Sequence, residues 1–197
     1  MKKEPVFIFG AGGHAVACIE VLEAEGKFRI LGLVGRKEEV GRKVSGYSVV
    51  GTDKNLPALL KKTRNLVMAI GQIKTPAPRA RLFLEALSLG AKFPVVRSPF
   101  SRISPRAVIG AGTIVMHGVV VQAGAVVGRN CILNSCCLVE HGVQIGDHCH
   151  VSTGAILNGD VVIGSGSFVG SGAVLQEGVR LKDDSLVPMG QMVRRPR

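Results

Sequence analysis

The chain has 197 residues, of which 26 are glycine, one is tyrosine and none is tryptophan. Its net charge of +11 favours phosphorylated small molecules as partners. The basic residues are scattered and are not interleaved with aromatic ones, so nucleic acid is not expected as a partner. No apolar run is long enough for a signal peptide or a membrane span, which predicts a cytoplasmic protein with reduced cysteines.

Residues 1–97 alternate between predicted strands and helices. Strands are predicted at residues 6–9, 29–34, 66–70 and 92–96, and helices follow the glycine loop up to about residue 26 and occupy residues 55–62 and 75–90. This alternation predicts a small parallel α/β domain over residues 1–97, joined by a linker at residues 97–99 to a second domain at residues 98–197.

The loop after the first predicted strand has the pattern G-x-G-x-x-A, formed by Gly10, Gly12 and Ala15. Between a strand and a helix, this pattern indicates a loop whose amides bind phosphate. The alternative is a tight turn that needs glycine for its backbone angles. An NAD site usually has an acidic residue at the end of the second strand, where this chain has Gly35 and Arg36. A phosphate-containing ligand other than NAD is therefore favoured.

The second domain repeats one large aliphatic residue every six positions. The sixteen members are Ile103, Ile109, Val115, Val121, Val127, Leu133, Val139, Ile145, Val151, Leu157, Ile163, Val169, Leu175, Leu181, Val187 and Val193. Nearly all residues two positions before them are small. This pattern predicts a triangular β-coil of 18 residues per turn, stacked in parallel at about 4.8 Å. Such a stack needs caps or partners at its ends and sides.

Cysteines and histidines concentrate between residues 131 and 150. Cys131, Cys137 and Cys149 fall at the small inward positions, which predicts packing rather than chemistry. Cys136 has no assigned role. The spacing is not C-x-x-C, so zinc and redox functions are poorly supported.

Three histidines of this segment, His141, His148 and His150, fall at outward positions, as surface or site residues. Side chains stack at intervals of 18 residues, and no two of these histidines have that separation. Three converging ligands are what a catalytic zinc ion needs, so no metal is expected unless a second subunit contributes ligands.

Four segments carry a resemblance to a known family: residues 10–14 (GAGGH), 69–71 (AIG), 103–105 (ISP) and 134–159 (NSCCLVEHGVQIGDHCHVSTGAILNG). The chain resembles bacterial hexapeptide-repeat acyltransferases, and most closely the nucleotide-linked amino-sugar N-acetyltransferases and sialic acid O-acetyltransferases. The resemblance implies a Rossmann-like α/β domain followed by a left-handed parallel β-helix. It also implies homotrimers with each active site between two protomers.

The resemblance also implies roles for individual residues. His141 matches the general base, a role that an ordinary histidine pKa near 6.5 suits. Asn134 matches an active-site asparagine, and His150 matches a histidine near the thioester of acetyl-CoA. The backbone amide of Gly159 matches the group that stabilises the oxyanion. Further matches are Ser171 and Met189 with acetyl-CoA, and Gly12, Gly13, His14, Arg36 and Gly71 with the nucleotide-linked sugar.

The chain departs from the family after the catalytic histidine, where the usual Asp or Glu is replaced by Gly142. Asp160 lies 18 residues later and is therefore expected one coil above, about 4.8 Å along the stack. We expect Asp160 or Glu140 to supply the carboxylate that assists His141.

Two further departures concern the substrates. Gly35 and Arg36 replace the acidic pair that reads the nucleotide base, which puts UDP specificity in doubt. The usual Gly-x-Pro-Ala-Lys tail is absent, and the terminal arginines of residues 193–197 are expected to meet the phosphates of CoA.

The leading hypothesis is an acetyl-CoA-dependent N-acetyltransferase of a nucleotide-linked, 4-amino-4,6-dideoxy type sugar, with no metal. The alternatives are O-acetylation of a sialic-acid-like sugar, with His141 deprotonating a hydroxyl group, and a non-catalytic trimer that binds a sugar nucleotide. The absence of a carboxylate after His141 is the feature that favours the last alternative.

Overall fold

The computed structural model describes residues 3–194 and contains an α/β part and a parallel β-helix. The α/β sheet has the strand order β3-β4-β2-β1-β5, and β3 is the antiparallel strand. Its strands are β1 (Glu4–Phe9), β2 (Phe28–Val34), β3 (Lys43–Val44), β4 (Tyr47–Gly51) and β5 (Leu66–Met68). The helices are α1 (Gly13–Glu25), α2 (Leu56–Leu59) and α3 (Ala77–Ser88), with 3-10 turns at Lys37–Glu39 and Asp53–Asn55.

The helices of the α/β part begin and end for local reasons. Helix α1 starts directly after the glycine loop and ends at Gly26, whose φ of 71° is easiest for glycine. Helix α2 is shorter than the predicted helix at residues 55–62, because the Lys62 amide bonds the Leu59 carbonyl at i−3 and tightens the last turn. Helix α3 confirms the predicted helix at residues 75–90 to within two residues at each end.

The hairpin of β3 and β4 was not predicted from the sequence. Its two-residue turn is Ser45-Gly46, and both residues have positive φ angles of 45° and 85°. Positive angles at both positions are typical of the type I′ turn that matches the twist of a β-hairpin. The Ser-Gly dipeptide was therefore a usable turn signal.

The β-helix confirms the predicted repeat: each of the sixteen aliphatic positions is the second residue of a two-residue strand, from β7 to β22. The sheet that packs under the α/β part, called the covered sheet, contains β6 (Val96–Arg97), β9 (Ile114–Val115), β12 (Ile132–Leu133), β15 (His150–Val151), β18 (Phe168–Val169) and β21 (Leu186–Val187). The first open sheet contains β7 (Arg102–Ile103), β10 (Val120–Val121), β13 (Leu138–Val139), β16 (Ile156–Leu157), β19 (Val174–Leu175) and β22 (Met192–Val193). The second open sheet contains β8 (Val108–Ile109), β11 (Val126–Val127), β14 (Gln144–Ile145), β17 (Val162–Ile163) and β20 (Arg180–Leu181).

The predicted strand at residues 92–96 is wrong in its placement. Lys92 forms only an isolated bridge with Asn65, whereas Val96–Arg97 pairs with Ile114–Val115 inside the β-helix. The six-residue repeat explains why this strand belongs to the β-helix. Arg97 lies six residues before Ile103, so Val96–Arg97 is one further repeat at the start of the β-helix.

The three faces of the β-helix differ in what lies on them. Most outward side chains of the covered sheet are buried under the α/β part, as at Ile114 and Ile132, which are 1% and 0% exposed, whereas Leu186 at the end of the sheet is 55% exposed. Most outward side chains of the open sheets are apolar and half-buried or exposed, as at Val108 (59%) and Met192 (58%). The polar ones are Arg102, Gln144 and Arg180. Within residues 3–194, no helix is both long and apolar enough to cross a membrane.

Candidate active site

A pocket of about 890 Å³ lies at the carboxyl edge of the α/β sheet, where β1, β2 and β5 end. Ligands of parallel sheets bind at this edge. The residues predicted to bind the nucleotide-linked sugar all line this pocket: Gly12, Gly13, His14, Arg36 and Gly71. The structure therefore brings together residues that lie up to 59 positions apart in the sequence.

The glycine loop of the pocket packs closely against the main chain at the end of β5. Gly10 has a φ of 127°, and a Cβ atom there would lie 2.7 Å from the Ala69 carbonyl oxygen. Helix α1 begins at Gly13, so its amino-terminal end opens at the pocket. A helix amino terminus favours anionic groups such as phosphates.

The charged side chains that line the pocket are mostly basic: Arg36, Lys37, Lys54 and Arg81, against Glu39 and Asp53. Glu39 was not recognised from the sequence because it lies four residues after Gly35. Its carboxylate folds back until it would be 3.0 Å from a Cβ atom on Gly35. It accepts the Arg36 amide at 2.9 Å, and this bond holds the pKa of Glu39 below its usual value.

His14 lies at the inner wall of this pocket. Its Nε2 atom is buried and has no hydrogen-bond partner among the described residues. Burial, together with nearby His150 and Arg79, lowers the pKa of His14 to about 4. His14 is therefore a neutral ring beside the pocket, with one buried nitrogen left without a partner in the described part of the chain.

His150 occupies an outward position, as predicted, but it is buried beneath the α/β part and is only 7% exposed. Its Nδ1 atom lies 2.7 Å from the Gln72 carbonyl oxygen, and its Nε2 atom lies 3.2 Å from Nδ2 of Asn134. A carbonyl only accepts, so Nδ1 carries the proton and Nε2 accepts from Asn134. Burial lowers the pKa of His150 to about 4, so the ring is neutral near pH 7.

His141 is in a different environment, an exposed corner between the two open sheets. A groove of about 440 Å³ lies there, lined by Glu140, His141, Asn158, Gly159, Gln176 and Glu177. The imidazole of His141 lies against Gly159, where a Cβ atom would be 2.6 Å from its Cε1 and 2.7 Å from its Nε2. Glu177, two coils above His141, is a groove residue that the sequence analysis did not single out.

Neither expected carboxylate forms an ion pair with the His141 ring within residues 3–194 of one chain. Glu140 accepts the main-chain amide of His141 at 3.4 Å. Asp160 has a φ of 58°, and its Oδ1 atom occupies the space where a side chain on Gly142 would begin. Position 142 is therefore glycine because Asp160, one coil above, fills its place.

Ser171 and Met189 lie on the corner of the β-helix between the covered sheet and the first open sheet. Main-chain hydrogen bonds connect this corner from coil to coil, because the amides of Gly154, Gly172 and Gly190 donate to the carbonyls of Ser135, Thr153 and Ser171, each 19 residues earlier. The lowest of these residues, Ser135, is next to Asn134. Higher up, Ser171 Oγ lies 2.9 Å from Ser152 Oγ. Met189 is 78% exposed. The terminal residues Arg195 and Arg197, expected near the phosphates of CoA, lie outside the described residues.

The remaining cysteines and histidines have structural surroundings. Cys131, Cys137 and Cys149 are free, buried and inward, which confirms their predicted packing role, and Cys136 is exposed. His148 bonds Asn130 at 2.8 Å and packs on Phe83, with its pKa lowered by burial. Among residues 3–194, no group of three or more His, Cys, Asp or Glu side chains is arranged to hold a metal ion.

A stack of hexapeptide coils attached to a glycine-loop α/β domain defines a hexapeptide-repeat acyltransferase. The PglD N-terminal domain family matches residues 5–83, and the bacterial transferase hexapeptide family matches residues 142–177. The hexapeptide repeat of succinyl-transferase matches residues 160–195. No curated protein gives a significant match.

Solved structures are similar along nearly the whole chain. A variant of perosamine N-acetyltransferase from Caulobacter crescentus, in complex with CoA and GDP-perosamine, is 33% identical with a TM-score of 0.91. The match covers 97% of this chain and 89% of that chain. The acetyltransferase domain of PglB from Neisseria gonorrhoeae is 29% identical with a TM-score of 0.88, over 98% and 92% of the two chains. The chain belongs to the left-handed β-helix family of hexapeptide-repeat sugar acetyltransferases, and it is an acyltransferase.

Proposed function

We propose that the chain transfers an acetyl group from acetyl-CoA to the amino group of a nucleotide-linked amino sugar of the 4-amino-4,6-dideoxy type. The observation that carries this proposal is the basic, glycine-edged pocket of about 890 Å³ at the carboxyl end of the α/β sheet. Its volume and charge suit a nucleoside diphosphate joined to a sugar. Similar structures from Caulobacter crescentus hold GDP-perosamine and CoA.

In the proposed mechanism, His141 acts as the general base. The acceptor nitrogen attacks the thioester carbonyl carbon, the carbon–sulfur bond breaks, and CoA leaves as a thiolate that takes up the proton His141 has removed from the nitrogen. The exposed His141 ring takes the proton that the nitrogen loses. The amide of Gly159 lies beside that ring and has no hydrogen-bond acceptor among the described residues, so it is free to donate to the oxyanion. Asp160 and Glu140 remain the proposed assisting carboxylates.

We propose that acetyl-CoA lies along the corner that runs from Asn134 and Ser135 through Ser171 to Met189. Coils stack at about 4.8 Å, so three coils give a track of roughly 14 Å. The track starts at the Asn134–His150 pair, which suits the thioester end of the molecule. The exposed thioether of Met189 at the far end is available for the apolar parts of CoA.

We propose that the active protein is a homotrimer in which a second protomer completes the groove at His141. The open sheets carry apolar outward side chains that a single chain leaves in contact with solvent, including Val108, Val126 and Met192. Contiguous exposed apolar surface marks interaction sites. Because the His141 corner lies between these two sheets, a partner that covers one of them reaches the groove.

The test is to mix the protein with acetyl-CoA and a panel of GDP-, UDP- and CMP-linked 4-amino sugars, and to measure thiol release. We expect release with at least one of these amines and none with the matching 4-hydroxy sugars. Release with sialic-acid-like acceptors alone would favour O-acetylation. Absence of release with every acceptor, together with absence of CoA binding, would leave only the non-catalytic alternative.

A further inference from the structure

Arg79 is a buried cation without an ionic partner, and nothing in the proposed mechanism uses it. It is 1% exposed, and no carboxylate forms an ion pair with it among residues 3–194. It lies in the first turn of α3, where the helix dipole disfavours a positive charge. Burying a charge without an ionic partner costs free energy of desolvation, which only good hydrogen bonds can offset.

The guanidinium of Arg79 is solvated by oxygens that belong to both parts of the molecule. Its Nη1 atom donates to the carbonyl and, at 3.0 Å, to the side-chain oxygen of Asn130. Its Nη2 atom donates to Oε1 of Gln72 at 2.8 Å and to the Cys149 carbonyl at 3.4 Å. Asn130 and Cys149 belong to the β-helix, so Arg79 ties the Gln72 loop to two of its coils.

Gln72 is also held through the nitrogen of its side-chain amide. Its Nε2 atom donates to the Gly166 carbonyl at 2.9 Å, and the residue is 3% exposed. With both polar atoms of the side-chain amide hydrogen-bonded, the main-chain carbonyl of Gln72 lies 2.7 Å from Nδ1 of His150. This carbonyl decides which nitrogen of His150 carries the proton, since Nδ1 must donate to it.

The consequence reaches Asn134 through His150. Oδ1 of Asn134 accepts the Ser135 amide at 2.8 Å, so Nδ2 is the group that meets Nε2 of His150. If Nε2 carried the proton, two donors would face each other and the amide would have to turn. The orientation of Asn134 therefore depends on the tautomer that Gln72 selects.

We propose that Arg79 is a positioning residue that, through Gln72, fixes the Nδ1-protonated tautomer of His150 and thereby the orientation of Asn134. The same loop forms part of the pocket wall, because Gly71 and Ile73 on either side of Gln72 line the pocket. One loop thus shapes the proposed nucleotide-sugar pocket and sets the hydrogen bonding of the proposed thioester site.

The kinetic part of this inference rests on the proposed function, whereas its spectroscopic part does not. The experiment uses the full chain with ¹⁵N-labelled histidine, and the ring nitrogen shifts report the tautomer of His150. In the wild-type protein we expect a protonated Nδ1 and an unprotonated Nε2. In Arg79→Met and Gln72→Leu we expect a mixture of tautomers, and a kcat lower by about 10- to 100-fold with the active acceptor.

Leu59→Ala is the destabilising control, because Leu59 is buried in the core of the α/β part on another helix and lines neither pocket. It should lower the melting temperature while leaving the His150 tautomer and kcat nearly unchanged. Arg79→Lys, which keeps the charge, serves if Arg79→Met does not fold, and it should show the same mixture of tautomers.

A wild-type His150 tautomer in Arg79→Lys and Gln72→Leu would overturn the proposal and leave Arg79 a structural role only. Because the tautomer is read without any acceptor sugar, it also tests the positioning role if no acceptor in the panel is acetylated. Failure of the proposed function and failure of this inference are therefore distinguishable.

Discussion

His141 and His150 lie nine residues apart in the same stretch of the β-helix, half an 18-residue coil from each other, yet their surroundings are opposite. His150 is buried, and both of its ring nitrogens have hydrogen-bond partners. His141 is exposed, and its ring has no hydrogen bond within the described residues of one chain. The β-helix presents both side chains outward, so the repeat itself does not create this difference.

The difference comes from what covers each face. The α/β part covers the sheet that carries His150 and supplies the Gln72 carbonyl. The corner that carries His141 lies between the sheets that remain open, and its groove is lined by side chains of the β-helix alone. One histidine is fixed within the chain, and the other is left available to substrate and to a second protomer.

The largest effect on kcat is expected for a substitution of His141, at the corner between the two open sheets. His141→Ala should lower kcat by about 10²- to 10⁴-fold, because the reaction loses its general base. The melting temperature should change little, since the side chain is exposed. Thiol release and thermal unfolding are the measurements. Lys61→Ala is the control, because Lys61 is an exposed residue of the α/β part that lines neither pocket, and it should keep wild-type kcat. A near wild-type rate for His141→Ala would remove His141 from the mechanism.

Gly159→Ala should lower kcat by about 10- to 100-fold by displacing the His141 ring, because the new methyl group would lie 2.6 Å from Cε1. The double variant Gly159→Ala/His141→Ala separates this cause from others. If the methyl group acts through the ring, adding it to His141→Ala should cause little further loss. Fully additive losses would show that Gly159 acts independently of His141.

The burial of His150 under the α/β part should make the stability of the protein depend on pH. The folded-state pKa of His150 is about 4, whereas an unfolded histidine titrates near 6.5. The unfolded chain therefore binds more protons as the pH falls from 6.5 to 4, and stability decreases over that window. Between pH 7 and pH 5 this amounts to roughly 2 kcal/mol for His150. Urea unfolding of wild type and His150→Gln measures it, and the variant should lose less stability on acidification.

An unchanged loss in His150→Gln would mean that His150 is not the source of the pH dependence. His14, whose pKa is also lowered to about 4, contributes in the same direction and stays in both proteins. Because His150 also lowers the pKa of His14, the difference between the two proteins reports the direct effect of His150 together with its effect on His14.

The smallest expected effect concerns the carboxylates near His141. Asp160→Asn keeps a side chain that tolerates the positive φ of 58°, so the fold should be retained. Because no ion pair with the ring forms within one chain, removal of this charge should lower kcat by only about two- to fivefold. Glu140→Gln is the parallel variant. A loss near 100-fold in either would indicate direct contact with the imidazole in the assembled protein.

Local patterns in the sequence determined most of the fold. The six-residue step placed every strand from β7 to β22, because inward and outward positions in a β-helix are fixed by residue spacing. The glycine loop located the pocket, and the family resemblance singled out His14, Arg36 and Gly71, which line it. The inward register of Cys131, Cys137 and Cys149 was likewise sufficient to exclude them from a surface site.

Tertiary structure alone decided how the outward residues are used. Burial of His150 depends on Gln72, which is 78 residues away, and Arg79 reaches Asn130 across 51 residues. Spacing within a repeat determines the direction in which a side chain points, because it reflects local backbone geometry. It does not determine what a second domain places over that side chain, and this decides whether a histidine is a fixed hydrogen-bonding group or a free base.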